Sequence, residues 1–159
     1  MDDTLRSCRE FTAVLASAAP TPGGGGAAAL TAAIGTALGG MVASLTTGKR
    51  AYVSVENEIR QLLSTTTALQ EDLLDQVAAD AEGFLPLAAV YALPKDDPGR
   101  AARLLRASED ACAVPLRIME LCVAALDAAG RLADIGSRLR CPTPGAPPPF
   151  WAARCGRRP

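Results

Sequence analysis

Large apolar residues recur at helical spacing over most of the chain, and no segment alternates with a period of two. After four consecutive glycines, one row of large apolar residues recurs every three or four positions: Leu30, Ile34, Leu38, Met41 and Leu45. This spacing predicts one apolar helix face, buried inside a bundle. The same period continues over residues 55–93 and 100–135. The chain is therefore predicted to be all-α, an antiparallel bundle of long helices joined by short loops.

Prolines and glycines mark where the helices should begin, bend and end. A short amphipathic helix over residues 5–17 should end before Pro20, because proline disfavours helix at its own position and at the preceding one. The second helix should run from the glycines to about Thr47, with a continuation to Tyr52 left open. Pro86 and Pro115 predict bends inside the last two helices.

Composition narrows the chemistry that this bundle can perform. The chain has 159 residues, is 49% hydrophobic and only 4% aromatic, and carries a net charge of −1 with acids and bases interspersed. These values suit a single domain and exclude a basic nucleic-acid-binding surface. Histidine is absent, which leaves carboxylate, lysine, tyrosine or thiol for acid–base work. The five cysteines lack CxxC spacing, so we expect no disulfide framework, no metal and a reducing cytoplasmic location.

An uncharged stretch near the N-terminus raises the alternative of a membrane span. No charged side chain lies between Phe11 and Gly48, and residues 26–47 are long enough to cross a bilayer. The stretch also contains a GxxxG pair, Gly35 and Gly39, which packs helices closely in membranes and in water. Its threonines and abundant Gly and Ala lower the hydropathy, and its spacing suits a soluble bundle. We therefore expect no membrane partner.

The glycine run, Gly23–Gly26, is costly to order, since each glycine loses roughly 0.5–1 kcal/mol relative to alanine. An ordered run therefore indicates that side chains are excluded for a reason. Either another helix packs there, or a ligand approaches the free N–H groups of a helix start. A flexible linker is the third alternative.

Two charged residues lie in or near apolar seams. Asp80 completes the spacing of an apolar row in the third helix, made of Leu73, Val77, Phe84, Leu87 and Tyr91. A carboxylate there costs several kcal/mol unless it is paired. Asp80 is therefore either a structural acid that caps a helix or pairs with a base, or a catalytic or ligand-binding acid. Lys49 ends the second helix, where lysine is favourable in any case. Cys112 and Cys122 are interpreted as small core residues near Leu116, Met119 and Leu126.

An ordered set of motifs adds a family resemblance. Residues 11–52 read "FTAVLASAAPTPGGGGAAALTAAIGTALGGMVASLTTGKRAY", with Leu-Ala-Ser, Pro-Thr-Pro and the glycines, Met-Val, and Leu-Thr-x-Gly-Lys before a tyrosine. This combination resembles the N-terminal signature of the cyclodeaminase/cyclohydrolase family, which includes the cyclodeaminase domain of formiminotransferase-cyclodeaminase and methenyltetrahydrofolate cyclohydrolases. The stretches "DAEGF", "LPK" and "AVPLRIMEL" extend the resemblance to about residue 137.

The resemblance implies a helical homodimer that acts on one-carbon units attached to tetrahydrofolate. It implies a cyclodeaminase (lyase) or a cyclohydrolase (hydrolase), with a tetrahydrofolate derivative as substrate. It makes Asp80 and Lys49 the catalytic candidates. The implied substrate-binding residues are Pro22, Gly23, Gly24, Gly25, Gly26 and Tyr52.

The resemblance stops after "ADIGSRL". Family members usually continue there with further helices, whereas this chain continues with "RCPTPGAPPPFWAARCGRRP", which holds half of its prolines. We therefore expect a helical domain over residues 1–137 and an irregular Pro/Arg-rich tail over 138–159, as in a C-terminally truncated or frameshifted member. Two functions stay open, a folate enzyme and a truncated, non-catalytic helical dimerisation module.

Overall fold

A computed structural model describes residues 3–137 of the chain, and within that range it contains helices and turns and no strand. The predicted tail, residues 138–159, lies outside the described residues. The four α-helices, in chain order, are α1 (Cys8–Leu15), α2 (Gly24–Thr46), α3 (Glu56–Tyr91) and α4 (Arg100–Ile135). Two 3₁₀ turns, Asp3–Leu5 and Arg50–Val55, precede α1 and α3. The prediction of an all-α bundle with long helices is confirmed.

Local sequence explains the start of α1 and the end of α2. Ser7 and Glu10 form a reciprocal capping box at the start of α1. Gly48, with a φ of 77°, adopts the left-handed conformation just after α2, so the continuation of this helix to Tyr52 is wrong. Pro86 and Pro115 lie inside α3 and α4, which continue past them as single helices.

Three apolar clusters stack along the bundle and fix the directions of its helices. The first joins Phe11, Ala29, Val77 and Ile118; the second joins Ala33, Leu69, Leu73 and Leu121; the third joins Ala43, Ile59 and Leu132. Residue numbers rise from cluster to cluster along α2 and α4 and fall along α3. The long helix α3 therefore runs antiparallel to both α2 and α4, and this order places the start of α2 beside the C-terminal half of α3.

The inward face of α2 is the opposite of the one that its large residues predict. Its buried side chains are small, namely Ala29, Ala33, Thr36, Ala43 and Thr46. The large residues Ile34, Leu38, Met41 and Leu45 are 44–57% exposed. Small residues let helix backbones approach closely, and Gly40 lies against Thr66 of α3 in this way. The prediction that the large apolar face is buried is therefore wrong for these four residues in a single chain, whereas Leu30 is half-buried against the first cluster.

The outward face of α4 repeats this arrangement. Leu116, Met119, Val123 and Leu126 are 58–71% exposed. Cys112 is exposed as well, so its prediction as a core residue is wrong, whereas Cys122 is half-buried against the core. The inward face of α4 is instead formed by Ala107, Ile118, Leu121, Ala128 and Leu132.

Within residues 3–137, α2 is the one helix that by length and composition could cross a membrane. It has 23 residues and a mean hydropathy of 1.6, and only 22% of its most apolar window is buried inside the bundle. A core helix of a soluble protein satisfies the same criterion, so this property alone identifies no membrane protein.

Candidate active site

The glycine run forms the first turn of α2. Gly23 is the N-cap residue and provides no side-chain hydrogen bond, while Gly24, Gly25 and Gly26 are helical. The preceding Pro22 is buried and follows a cis peptide bond from Thr21. Because the run is helical, the alternative of a flexible linker is wrong. A helix start leaves up to four N–H groups without a partner inside the helix, so these glycines present backbone donors.

Asp80 of α3 supplies the cap that the glycines cannot provide. The N–H of Gly26 donates a hydrogen bond to Oδ2 of Asp80 over 2.7 Å, although 54 positions separate the two residues. A carboxylate at a helix N-terminus also lies at the positive end of the helix dipole. The structure therefore brings together Asp80 and the glycine run, two of the features that the sequence singled out.

The carboxylate of Asp80 explains why residue 25 is a glycine. An ideal Cβ atom built on Gly25 would lie 2.1 Å from Oδ1 of Asp80, closer than any side chain can approach. A Cβ on Gly23 would lie 3.6 Å from Oδ2, in ordinary contact, and a Cβ on Gly24 would have no neighbour within 4 Å. Close approach of a carboxylate thus requires glycine at position 25, whereas position 24 is open.

The two oxygens of the Asp80 carboxylate have different surroundings. Oδ2 is held by the N–H of Gly26. Within residues 3–137, Oδ1 forms no hydrogen bond that meets ordinary distance limits, and the residue is half-buried. One oxygen is thus fixed in position by a hydrogen bond, and the other is not. A positioned carboxylate of this kind can serve as a general base or acid.

The two clefts on the surface of residues 3–137 are lined by residues other than Asp80. A cleft of about 130 Å³ is lined by Asp3, Arg6, Thr21, Ala78, Ala81, Glu82 and Leu85. Sites for drug-sized ligands usually enclose about 300–1,000 Å³, so this cleft alone is too small for a folate. A larger, shallow groove of about 640 Å³ follows α3 from Gln61 to Asp72 and contains no residue of the motifs.

Lys49 and Tyr52 lie at the other end of α2. At 1.5 Å per residue, the 23 residues of α2 separate this end from the glycine run by about 35 Å. Lys49 is exposed, and its Nζ donates a hydrogen bond to Oγ of Ser137 over 3.2 Å. Tyr52 is half-buried, and its N–H donates to the carbonyl of Lys49 over 2.9 Å. Within one chain the structure therefore keeps Lys49 and Asp80 apart.

Glu56 and Ser137 complete the end of α2 and carried no motif in the sequence. The N–H of Gly48 donates to both carboxylate oxygens of Glu56, over 3.0 and 3.3 Å. This bond, followed by the one from Arg60, lowers the pKa of Glu56. The N–H of Ser137 donates to Oγ1 of Thr46 over 2.8 Å, which ties the end of α4 to α2. The pairing of Ser137 with Thr46 spans 91 positions, a separation at which no local pattern could have indicated it.

Among residues 3–137, no three His, Cys, Asp or Glu side chains lie close enough to hold a metal ion. The groups that the candidate site offers are the carboxylate of Asp80 and the backbone N–H donors of the glycine run.

Residues 7–141 match the family model of formiminotransferase-cyclodeaminase. The chain belongs to this family. It is 42% identical over 127 residues to the methenyltetrahydrofolate cyclohydrolase of Methylorubrum extorquens, a match that covers 77% of the chain and 61% of that relative. It is 35% identical over 118 residues to the formimidoyltransferase-cyclodeaminase of Mus musculus, covering 72% of the chain and 22% of the relative.

A solved structure supports the same family. The formiminotetrahydrofolate cyclodeaminase of Thermotoga maritima superposes with a TM-score of 0.75 at 28% identity, over 85% of this chain and 65% of that one. The chain thus spans less than two thirds of the length of the relatives to which it is similar. The resemblance read from the glycine run and the "DAEGF" stretch is confirmed at the level of the family.

Proposed function

We propose that the chain is a folate one-carbon enzyme whose substrate is a tetrahydrofolate derivative. It either cyclises 5-formiminotetrahydrofolate to 5,10-methenyltetrahydrofolate with release of ammonia, or hydrolyses 5,10-methenyltetrahydrofolate to 10-formyltetrahydrofolate. One observation carries the proposal: the hydrogen bond from Gly26 to Asp80 joins the two sequence features on which the family resemblance depends. The names of the cyclohydrolase and cyclodeaminase relatives support the same chemistry.

In the ring-closing reaction, N10 of the folate attacks the carbon of the protonated formimino group. The proton of N10 must then reach the formimino nitrogen, whose bond to carbon breaks as ammonia leaves. The product is the methenyl cation, so the overall charge is conserved. Asp80 would carry the proton between the two nitrogens through Oδ1, while the N–H of Gly26 holds Oδ2 in place.

In the hydrolytic reaction, water attacks the methenyl carbon, and the bond between that carbon and N5 breaks. The water loses two protons, one to N5 and one to solvent, and the formyl group stays on N10. A carboxylate would accept the first proton and, by its charge, stabilise the cationic carbon before attack. Both reactions thus need a carboxylate that transfers a proton, and we propose that Asp80 has this role in either reaction.

The remaining residues are proposed to bind the substrate. Gly24 is open to solvent, and no side chain blocks its backbone from an approaching ligand. Gly23, Gly25, Gly26 and Pro22 would form the wall against which the folate lies. Lys49 would bind a folate carboxylate or assist proton transfer, and Tyr52 would pack beside it. The enzyme is further proposed to act in the cytoplasm as a homodimer, as a lyase or a hydrolase, without a metal.

A second candidate function is a non-catalytic helical dimerisation module. The observation that favours it is the row of exposed large apolar side chains on α2, namely Ile34, Leu38, Met41 and Leu45, which is typical of an interaction surface.

Absorbance at the methenyltetrahydrofolate band separates the candidates. With purified protein, a falling signal from 5,10-methenyltetrahydrofolate indicates hydrolysis, and a rising signal from 5-formiminotetrahydrofolate indicates cyclisation. Buffer without protein gives the spontaneous rate. A rate above this background with either substrate is expected from the proposal. Background rates with both substrates, from protein that shows a full helical circular dichroism spectrum, would favour the dimerisation module.

A further inference from the structure

One side of α3 is uncovered between two ion pairs that join this helix to α4. Near the start of α3, Arg131 donates to Oε2 of Glu58 over 2.9 Å. Further along, Arg117 lies 3.7 Å from the carboxylate of Asp72. The groove of about 640 Å³ follows α3 between these two pairs. Its lining residues all belong to α3: Gln61, Ser64, Thr65, Ala68, Leu69 and Asp72. All of them except Leu69 are exposed, so within residues 3–137 this side of α3 faces solvent.

The part of α3 that holds the groove carries an excess of acid. Residues 61–94 contain no base and five acids: Glu71, Asp72, Asp75, Asp80 and Glu82. Glu71 and Asp72 are exposed at the far end of the groove. Within residues 3–137, Glu71 forms no ion pair, and Asp72 shares Arg117 with Glu120. The far end of the groove therefore has a net negative charge.

The segment that follows α4 has the opposite charge. Residues 138–159 contain five arginines and no acid, which gives a net charge of +5. Residues 61–94 have a net charge of −5, while the whole chain has −1. The charges of the two regions thus cancel each other. Complementary charge of this kind selects one surface over others and orients the segment that binds it.

The segment begins at the right end of the bundle to reach the groove. Ser137 is hydrogen-bonded to Thr46, and Leu132 packs with Ile59 in the third cluster, so α4 ends where α3 begins. From its first residue to Asp72, α3 rises by about 24 Å. Residues 142–149 read "PTPGAPPP", a composition that favours an extended polyproline II conformation. At roughly 3.1 Å per residue, the chain from 138 to 149 spans about 37 Å, which is enough to pass along the whole groove.

We propose that residues 138–159 lie along this groove of their own chain. The proline-rich stretch follows α3, Phe150 and Trp151 cover Leu69, and the last three arginines pair with Glu71 and Asp72. A guanidinium group binds a carboxylate through two parallel hydrogen bonds, which suits this pairing. A proline-rich segment is already extended and loses little conformational entropy when it docks. Because the segment is attached to the bundle, its effective concentration is on the order of millimolar, so weak contacts suffice.

Tryptophan fluorescence of the whole chain tests this docking without any activity. Trp151 is the single tryptophan, so its emission reports on this segment alone. At low salt we expect acrylamide to quench Trp151 several-fold less than it quenches a peptide of residues 138–159. About 0.5 M salt should remove most of this protection, because it shortens the screening length to about 4 Å. Equal quenching in the chain and in the peptide overturns the proposal.

Two substitutions in the groove test the place of docking. Asp72→Lys reverses a charge at its far end, and Ala68→Lys adds a base and bulk at its middle. Both should raise quenching of Trp151 to the level of the peptide, with unchanged helical circular dichroism. Glu109→Lys is the matched control, because this acid is exposed on α4 outside the groove and its substitution changes the net charge equally. Protection that survives in both groove variants overturns the proposal and places the segment on another surface, such as the exposed apolar residues of α2.

Dilution tests whether the segment docks on its own chain. An intramolecular contact does not depend on protein concentration, so the quenching of Trp151 should be the same at nanomolar and at high micromolar protein. A loss of protection on dilution would mean that the segment lies on another chain, and would overturn the proposal.

Discussion

The two ends of α2 are both stabilised by a carboxylate that accepts a backbone N–H, but they are built differently. At the start, Asp80 reaches the N–H of Gly26 across 54 positions and occupies the space where a side chain of Gly25 would lie. At the end, Glu56 reaches the N–H of Gly48 across only eight positions, and no atom lies within 4 Å of the space beside Gly48. Gly48 is needed there for its backbone conformation.

Gly25 is required because a neighbouring carboxylate fills the space of a side chain, whereas Gly48 is required because of its own dihedral angles. A glycine such as Gly48 is common where a helix ends. Gly25 instead allows the half-buried Asp80 to take a fixed position beside open backbone donors, and catalysis can use this arrangement. Substitutions at the two ends should therefore respond differently when the neighbouring carboxylate is removed.

Gly25→Ala should have the largest effect. Its Cβ cannot coexist with Oδ1 of Asp80 in the present position, so the carboxylate must rotate away from Gly26. If Asp80 transfers protons, the rate at the methenyl band should fall by about 10²–10⁴-fold. Stability should fall less, because lost capping of about 1 kcal/mol is partly offset by the higher helix propensity of alanine.

A double-mutant cycle identifies the cause. In an Asp80→Ala background, Gly25→Ala should no longer lower the free energy of unfolding, because nothing remains for the Cβ to displace. An equal cost in both backgrounds, measured by denaturant unfolding, would mean that Gly25 is needed for another reason.

Gly48→Ala should destabilise by about 1–2 kcal/mol, since a residue with a Cβ is strained in the left-handed region. Removing the nearby carboxylate with Glu56→Ala should not relieve this cost. Denaturant unfolding of the two single variants and the double variant measures it. Full relief in the double variant would show that the two ends of α2 respond alike to loss of their carboxylate.

Gly24→Ala should leave the fold intact and stabilise it by up to about 0.4–1 kcal/mol, because the Cβ meets open space. Folate binding should weaken if the ligand approaches this backbone. The melting temperature and the Michaelis constant for the folate, measured on the same preparation, separate the two effects. A raised melting temperature with unchanged folate binding would remove Gly24 from the proposed site.

The smallest effect that we expect is a loss of folding stability at acid pH, which should arise from Glu56 at the end of α2. The N–H of Gly48 and the guanidinium of Arg60 lower the pKa of Glu56, so its contribution to stability is present above the ordinary pKa of glutamate. That contribution is lost as the pH falls through the lower pKa of the folded state. Glu56→Gln should therefore flatten the loss of stability between about pH 5 and pH 3. A slope equal to that of the natural chain would show that Glu56 is not coupled to folding.

The helical fold could be predicted from local pattern, and so could the inward row of α3 at Leu73 and Val77, whereas the inward face of α2 could not. Helical spacing and turn residues gave α3 and α4 within a few positions, because these signals act over a few residues. The burial of α2 was predicted from residue size, which would place Ile34 and Leu38 inward. The structure instead buries Ala33 and Thr36, because close backbone packing against α3 and α4 decides the face. Such a choice depends on neighbours that are distant in sequence.

The candidate site could be predicted only in part, for the same reason. Asp80 stood out as an acid within an apolar row, and one of its two possible roles was that of a helix cap. Its contact with Gly26 could not be derived from spacing, since 54 positions separate them. The sequence also indicated Lys49 as a catalytic candidate, but the length of α2 places this residue at the far end of the bundle from Asp80.

We propose that Asp80 transfers protons as well as capping α2, and the variant Asp80→Asn separates these two roles. Asparagine keeps an oxygen that can accept the N–H of Gly26 but cannot carry a proton between reacting atoms. Asp75→Asn, an exposed position on the same helix, is the matched control. We predict that Asp80→Asn lowers turnover at the methenyl band by about 10²–10⁴-fold with a nearly unchanged melting temperature, while Asp75→Asn changes neither. Retained turnover together with a large fall in melting temperature would contradict the claim and leave Asp80 as a helix cap alone.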